Sequence, residues 1–207
     1  MIKNLIERYP SLSVCENEIT KSVNMIIECY LHGGKLLLAG NGGSAADCDH
    51  IVGELMKGFM KKRELSDVQK AKMKAASPEL SDEALGKLQG ALPAISLPSF
   101  PALNTAFSND VDADLIYAQG VFGLGKEEDI LIAISTSGNS RNVVEAAKVA
   151  KATGLKVIAL TGKSGGKLKE LADVSITVPE CETYKVQELH LPVYHYICAK
   201  IEDHFFG

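Results

Sequence analysis

This sequence predicts an α/β fold: a three-layer sandwich whose mostly parallel, five-stranded sheet is covered by helices on both faces. Three observations predict it. Short apolar runs of strand length recur at 35–40, 92–98, 129–135, 155–162 and 173–179. Helix-like stretches separate them, and parallel strands need such crossovers. The runs are apolar and set between helices, as expected of strands covered on both faces.

The elements follow in order. Ile19, Val23, Ile26 and Ile27 recur at helical spacing, giving a helix over 11–33 that "HGG" at 32–34 stops. "KLLLAG" (35–40) reads as a buried strand and 44–62 as the next helix. Residues 63–90 are polar, rich in Ala, Lys and Glu, and lack a strand-like run. They predict one or two surface helices inserted into the fold. Helix starts are read at Ser77-Pro78-Glu79 and Ser81-Asp82-Glu83. This insertion is either a solvated excursion or a lid or subunit contact. "LPAISLP" (92–98) is a strand, and helical stretches follow around 101–107 and 111–122. "DILIAIS" (129–135) is a strand, and 140–154 is a helix with Val143, Ala147 and Ala150 inward and Gly154 at its end. "LKVIALTG" (155–162), a short helix in "GGKLKELA", the strand "DVSITVP" and a final helix over 185–205 complete the chain. Neither repeat nor linker divides it, so 1–207 reads as one domain.

Composition bounds the function. A net charge of −4 over 207 residues, with only the short basic run "KKR" at 61–63, argues against a nucleic-acid partner. Cys15, Cys29, Cys48, Cys181 and Cys198 are scattered and odd in number, with no C-x-x-C pair. They form neither a disulfide framework nor a zinc finger, and they suit a reducing cytoplasm. The opening "MIKNLIERYP" does not read as a signal peptide. No apolar run approaches the ~20 residues that span a bilayer.

Two turns carry the chemistry, "GNGGS" (40–44) and "STSGNS" (135–140), each after an apolar strand and before a helix. Ligands of such folds bind beyond the carboxyl ends of the strands. Glycine lets the backbone approach a ligand, and a helix start offers unpaired N–H groups and partial positive charge. Ser135, Thr136, Ser137 and Ser140 add hydroxyls. One such turn alone reads as a helix cap. Two equivalent turns favour a shared phosphate cradle. The spacing Gly40-x-Gly42-x-x-Ala45 hints at a dinucleotide, but such a site wants an acid about 20 residues on. Here the next strand ends near Pro98 and Glu54 comes too early. No G-K-[ST] follows the glycines, which removes the Walker option.

His50 and Glu54 are four positions apart on a predicted helix, hence on one face about 6 Å apart along its axis. That spacing can chelate one metal, zinc suiting it best and nickel, cobalt or manganese remaining open. Taken alone, His50 is more often a capped or partly buried histidine. Gln187 and His195 are eight positions apart, about 12 Å of rise on a straight helix. Three readings follow: the helix begins late, near Pro192; the two residues serve different sites or subunits; or one of them is no ligand. His190 reads as structural and His204 as solvated.

Together "GNGGSAAD…H…GEL", "SND" (108–110), "ISTSGNSRNV" and "QELHLPVYH" resemble the sugar isomerase (SIS) domain family, over nearly the whole chain except 63–90. The resemblance implies the SIS fold. It also implies an aldose–ketose isomerase converting sedoheptulose 7-phosphate to the aldoheptose phosphate, the first step of ADP-heptose and hence lipopolysaccharide synthesis. Asn41, Gly42, Gly43, Ser44, Asn109, Asp110, Ser135, Thr136, Ser137, Ser140 and Gln187 would contact the sugar phosphate. His50, Glu54, Gln187 and His195 match the family's metal ligands, usually zinc, with Glu54 and His195 its acid/base pair. A cytoplasmic homotetramer with sites at subunit interfaces is implied too. The chain departs from the family pattern in its longer 63–90 segment, in Tyr184 where an aspartate is expected, and in Pro192 within a helix. Two further readings stay open. One is a non-catalytic SIS module that binds a sugar phosphate or a replication initiator protein; the other is an isomerase of another phosphosugar.

Overall fold

The computed structural model describes residues 2–207. Five parallel strands, β1 (Leu36–Ala39), β2 (Ala94–Ser96), β3 (Ile130–Ser135), β4 (Lys156–Thr161) and β5 (Val174–Thr177), lie in the order β2-β1-β3-β4-β5. This is the predicted sheet, strand for strand. The chain runs outward from β1 to β2, then crosses back to place β3 on the other side of β1. The order reverses between β1 and β3, where an open α/β sheet leaves a crevice at its carboxyl edge. Register pairs Ala39 with Ala133 at that edge.

Side chains alternate across the sheet and fill two cores. Leu36, Leu38, Ile130, Ile132, Ile134, Ile158, Leu160 and Ile176 face one way. They pack against α2 (Glu16–Leu31), α3 (Gly43–Met56) and α10 (Thr183–Phe206), through Ile26, Ile51, Leu55, Ile197 and Ile201. Leu37, Ala39, Leu131, Ala133, Val157 and Ala159 face the other way. They meet α7 (Ile116–Leu124), α8 (Arg141–Ala152) and α9 (Gly166–Leu171). Both faces are covered, which is why β3 is buried at all six positions and reads as an unbroken apolar run.

Several boundaries differ from the sequence reading. Residues Pro10–Cys15 form a 3₁₀ helix ahead of α2, and a short α1 (Ile2–Arg8) precedes them. The strand read over 92–98 is cut to Ala94–Ser96 because Pro98 turns the chain into a 3₁₀ turn. Helix α6 spans Pro101–Phe107 as expected, whereas α7 begins only at Ile116 after single turns of π and 3₁₀ helix.

Helix α3 ends at Met56, not 62. Beyond it, Gly58 N–H donates to Gln89 Oε1, and the amides of Phe59, Met60 and Lys61 donate to the Glu202 carboxylate. Those side-chain acceptors outcompete another helical turn. The 63–90 segment holds two surface helices, α4 (Asp67–Ala76) and α5 (Asp82–Lys87), closed at the base by a Glu64–Gln89 bridge. Ser66 starts α4 with a capping box to Gln69, and Ser81 caps α5 as predicted. Ser77 ends α4 rather than starting a helix, its N–H bonding back to Met73.

Pro192 lies inside α10 without ending it, so the reading in which that helix starts late is overturned. All five cysteines are free, and Cys181 alone among them is exposed. Among the described residues no helix is long and apolar enough to cross a membrane.

Candidate active site

The two turns meet at the reversal point. Asn41–Ser44 end β1 and open α3; Ser135, Thr136 and Ser140 join β3 to α8; Thr183 and Gln187 close the space from the first turns of α10. Together with Ile134 they line a cavity of about 330 Å³. Three helix starts therefore border one pocket; the Ser44 N–H turns back to Asn41 O at 3.0 Å and the Val143 N–H to Ser140 O at 3.1 Å, which leaves the amides ahead of them to face the pocket. Gly42 takes φ +56°, a conformation L side chains rarely adopt. Gly43 lies under the Gln187 side chain: a Cβ there would stand 2.5 Å from Nε2 and push that amide aside. Ser135 and Ser140 share a hydrogen bond of 2.9 Å between their hydroxyls. No lysine or arginine lines this cavity; Arg141, the nearest in sequence, pairs with Asp114 at 3.5 Å.

One set of bonds ties the turns to each other. Asn41 and Asn142 exchange side-chain amide hydrogen bonds of 2.8 and 2.9 Å, and Tyr117 donates its hydroxyl to Gly40 O at 2.7 Å. Asn142, Tyr117 and Thr183 escaped the sequence reading. A second asparagine in the first turn after "SGNS" was the only signal for Asn142. Ser137, by contrast, does not line the cavity: it is exposed and its hydroxyl accepts from Asn139 N–H. Asn109 and Asp110 are also outside it, exposed on the single π turn Ser108–Asp112 and hydrogen-bonded to each other at 2.8 Å.

Seven residues along α3 from Gly43, His50 meets the second group. Its Nε2 lies 3.3 Å from Glu54 Oε1 and 3.4 Å from His195 Nε2. Helices α3 and α10 run in the same direction, with Gly43 against Gln187 at one end and His50 against His195 further down. Gln187 thus belongs to the cradle, and the single protomer does not bring it to the imidazoles. The Glu54 side chain is 12% exposed, and Oε2 is buried without a hydrogen-bond partner; Lys57 Nζ stays 3.7 Å away. Burial pushes the His195 imidazole below its ordinary value, His50 adds to that, and Glu54 opposes it. His195 also lines a separate cavity of about 600 Å³ beneath α1, with Arg8, Tyr9 and Phe59.

Two anchors hold this group. Tyr194 reaches Asp47 Oδ1 at 3.1 Å and His50 Nδ1 at 3.0 Å. Burial raises the Asp47 carboxyl, against the Tyr194 hydrogen bond and the neighbouring His50. Arg63, wholly buried, donates to the carbonyls of Glu54 and Leu55 and to Glu202 Oε1 at 2.8 Å. It caps the C-terminal end of α3 and so fixes the backbone of Glu54.

Could these residues hold a metal? Among the described residues no three or more His, Cys, Asp or Glu side chains are placed so that together they could hold a metal ion. The donor chemistry nonetheless fits: the His195 imidazole and the Glu54 carboxylate both approach His50 Nε2, and Glu54 Oε2 is buried without a hydrogen bond. Two nitrogens bound to one tetrahedral zinc stand about 3.4 Å apart, the spacing of His50 and His195.

Comparison with known proteins agrees with this geometry. The family described as SIS domain matches residues 89–162. Phosphoheptose isomerase of Helicobacter pylori (strain P12) is 36% identical over 195 residues, 94% of this chain and 88% of the relative. That of a Nitratiruptor species is 38% identical, over 86% and 82% of the two chains. A solved phosphoheptose isomerase from Neisseria gonorrhoeae superposes with TM-score 0.76 at 30% identity, over 97% of this chain and 94% of that one. With identity above 30% to both curated relatives across most of both lengths, the chain belongs to the phosphoheptose isomerase family of SIS-domain proteins.

Proposed function

We propose that this chain is an aldose–ketose isomerase converting sedoheptulose 7-phosphate to D-glycero-D-manno-heptose 7-phosphate through an enediol, the first step of ADP-heptose synthesis. The observation that carries the reading is the shared helix: the cradle opens α3, and His50 follows Gly43 by seven residues, about 10 Å of rise. An extended seven-carbon chain with a terminal phosphate covers that span. The phosphate would sit among the backbone amides of Gly42 and Gly43 and the hydroxyls of Ser44, Ser135, Thr136 and Ser140. Binding energy spent on that remote end then positions the reacting carbons.

Glu54 is the base that takes the proton from C1 and returns it at C2. Its Oε2 accepts no hydrogen bond and has only the longer Lys57 Nζ contact at 3.7 Å, while Oε1 is turned to His50, which supports this role. The division also relieves the conflict between ligand and base within one carboxylate. His195 moves protons at the substrate's O1 and O2, as an imidazole within reach of His50 Nε2 and beside Glu54 can. His50, Glu54 and His195 are the residues proposed to hold zinc, with Gln187 assigned to the cradle. When bound, the metal would polarise the carbonyl as a Lewis acid.

The proposal treats 1–207 as one SIS domain and the working form as a cytoplasmic homotetramer with sites at subunit interfaces. Supporting this, Asn109 and Asp110 stand exposed outside the cradle of their own chain, and His195 opens on a cavity apart from it. The test is proton exchange from deuterated water into a panel of phosphosugars. Exchange into sedoheptulose 7-phosphate above the others is the expected result. Exchange into another phosphosugar instead would move the substrate assignment. Binding without exchange into any would leave a sugar-phosphate receptor.

A further inference from the structure

Tyr194 crosses from α10 to α3 and places one hydroxyl between Asp47 and His50, at 3.1 Å from Oδ1 and 3.0 Å from Nδ1. A phenol has a single proton, and an ionised carboxylate can only accept. With that proton given to Asp47 Oδ1, the second bond requires the imidazole Nδ1–H to donate to the phenolic oxygen. That leaves the lone pair of His50 on Nε2, 3.3 Å from the acceptor Glu54 Oε1 and 3.4 Å from His195 Nε2, a set of acceptors that a cation between them would draw together. The Tyr194 ring is 3% exposed and stands edge-on to both imidazoles, at 5.5 Å from His50 and 5.0 Å from His195. One buried ring thus fixes the planes of both.

We infer that Tyr194 and Asp47 are positioning residues that lock His50 as its Nδ1–H tautomer, so that Nε2 is presented as a donor to a divalent cation between α3 and α10. The inference rests on the metal-assisted reading above. A ligating histidine whose other nitrogen is held this way keeps its ring orientation and gains basicity, and losing such a partner typically costs about 10- to 100-fold in metal affinity.

The experiment uses the full chain, stripped of metal and labelled with ¹⁵N-histidine, at about pH 8, above the ordinary imidazole range. Long-range ¹H–¹⁵N spectra of wild type, Tyr194→Phe and Asp47→Asn report the His50 tautomer, with His50→Gln identifying the signal. Wild type is expected to carry its proton on Nδ1, and Tyr194→Phe, which keeps the ring, is expected to shift toward Nε2–H. Zinc affinity, measured by competition with a fluorescent chelator, is expected to fall about 10- to 100-fold in both variants. A wild-type proton on Nε2, or an unchanged tautomer in Tyr194→Phe, overturns the inference. If the tautomer shifts as expected but wild type binds no zinc, the metal reading fails while the lock itself stands. Should Tyr194→Phe fail to fold, Asp47→Asn and the wild-type spectrum decide alone.

Discussion

Asn41 and Asn142 hold each other by both ends of their side-chain amides, a reciprocal pair that joins the turn after β1 to the first turn of α8. The two halves of the cradle come from segments about a hundred residues apart in sequence, and this pair is a direct side-chain tie between them. Replacing Asn142 by Ala removes both of these bonds and leaves Asn41 Oδ1 with the longer contact to the Tyr117 hydroxyl at 3.2 Å. Losing about 1–2 kcal/mol of positioning should raise KM for the phosphosugar about 5- to 30-fold and leave kcat within about threefold. Steady-state kinetics separates the two constants.

Gly43→Ala addresses the same cradle from the α10 side. The added methyl would stand 2.5 Å from Gln187 Nε2 and must displace it. The expected result is a loss of phosphosugar affinity that Gln187→Ala, by making room, partly restores in the double variant. Titration calorimetry on the single and double variants reads it.

Glu54→Gln keeps the shape of the side chain and removes its basicity. A fall of about 10²- to 10⁴-fold in kcat is expected, with the unfolding midpoint little changed, because the backbone at Glu54 is held by Arg63 rather than by its own carboxylate. Full-rate turnover in this variant would remove the proposed base.

The Arg63–Glu202 pair predicts a stability effect instead. Burial opposes ionisation of Glu202, but the amides of Phe59 and Met60 and the Arg63 guanidinium outweigh it and hold the carboxyl below its ordinary value. Glu202→Ala strands a buried guanidinium and three amides. A loss of about 3–5 kcal/mol in urea unfolding is expected.

His190 sets an acid limit. It is fully buried, and burial pushes it from 6.5 down to about 4 against the opposing Thr161 backbone. The unfolded chain therefore binds the extra proton between those values, so stability rises with pH across that window and is lost as pH falls through it. The full difference is about 3 kcal/mol. Urea midpoints measured from neutral pH down to about 4 should fall less steeply for His190→Leu than for wild type.

Periodicity determined the sheet. Five apolar runs became five strands, and the two polar turns became the rim of one pocket, because strand burial and helix starts are local signals that survive folding. The spacing of His50 and Glu54 placed both on one helical face for the same reason. Sequence could not end α3 at Met56, since the competing acceptors Gln89 and Glu202 lie far along the chain. Nor could it separate Gln187 from His195. Only the packing of α10 alongside α3 put one against Gly43 and the other against His50. Tyr194, Asp47 and Asn142 were invisible for a related reason: each acts through a bond to a residue on another element, and such pairings exist only once the sheet has brought those elements together.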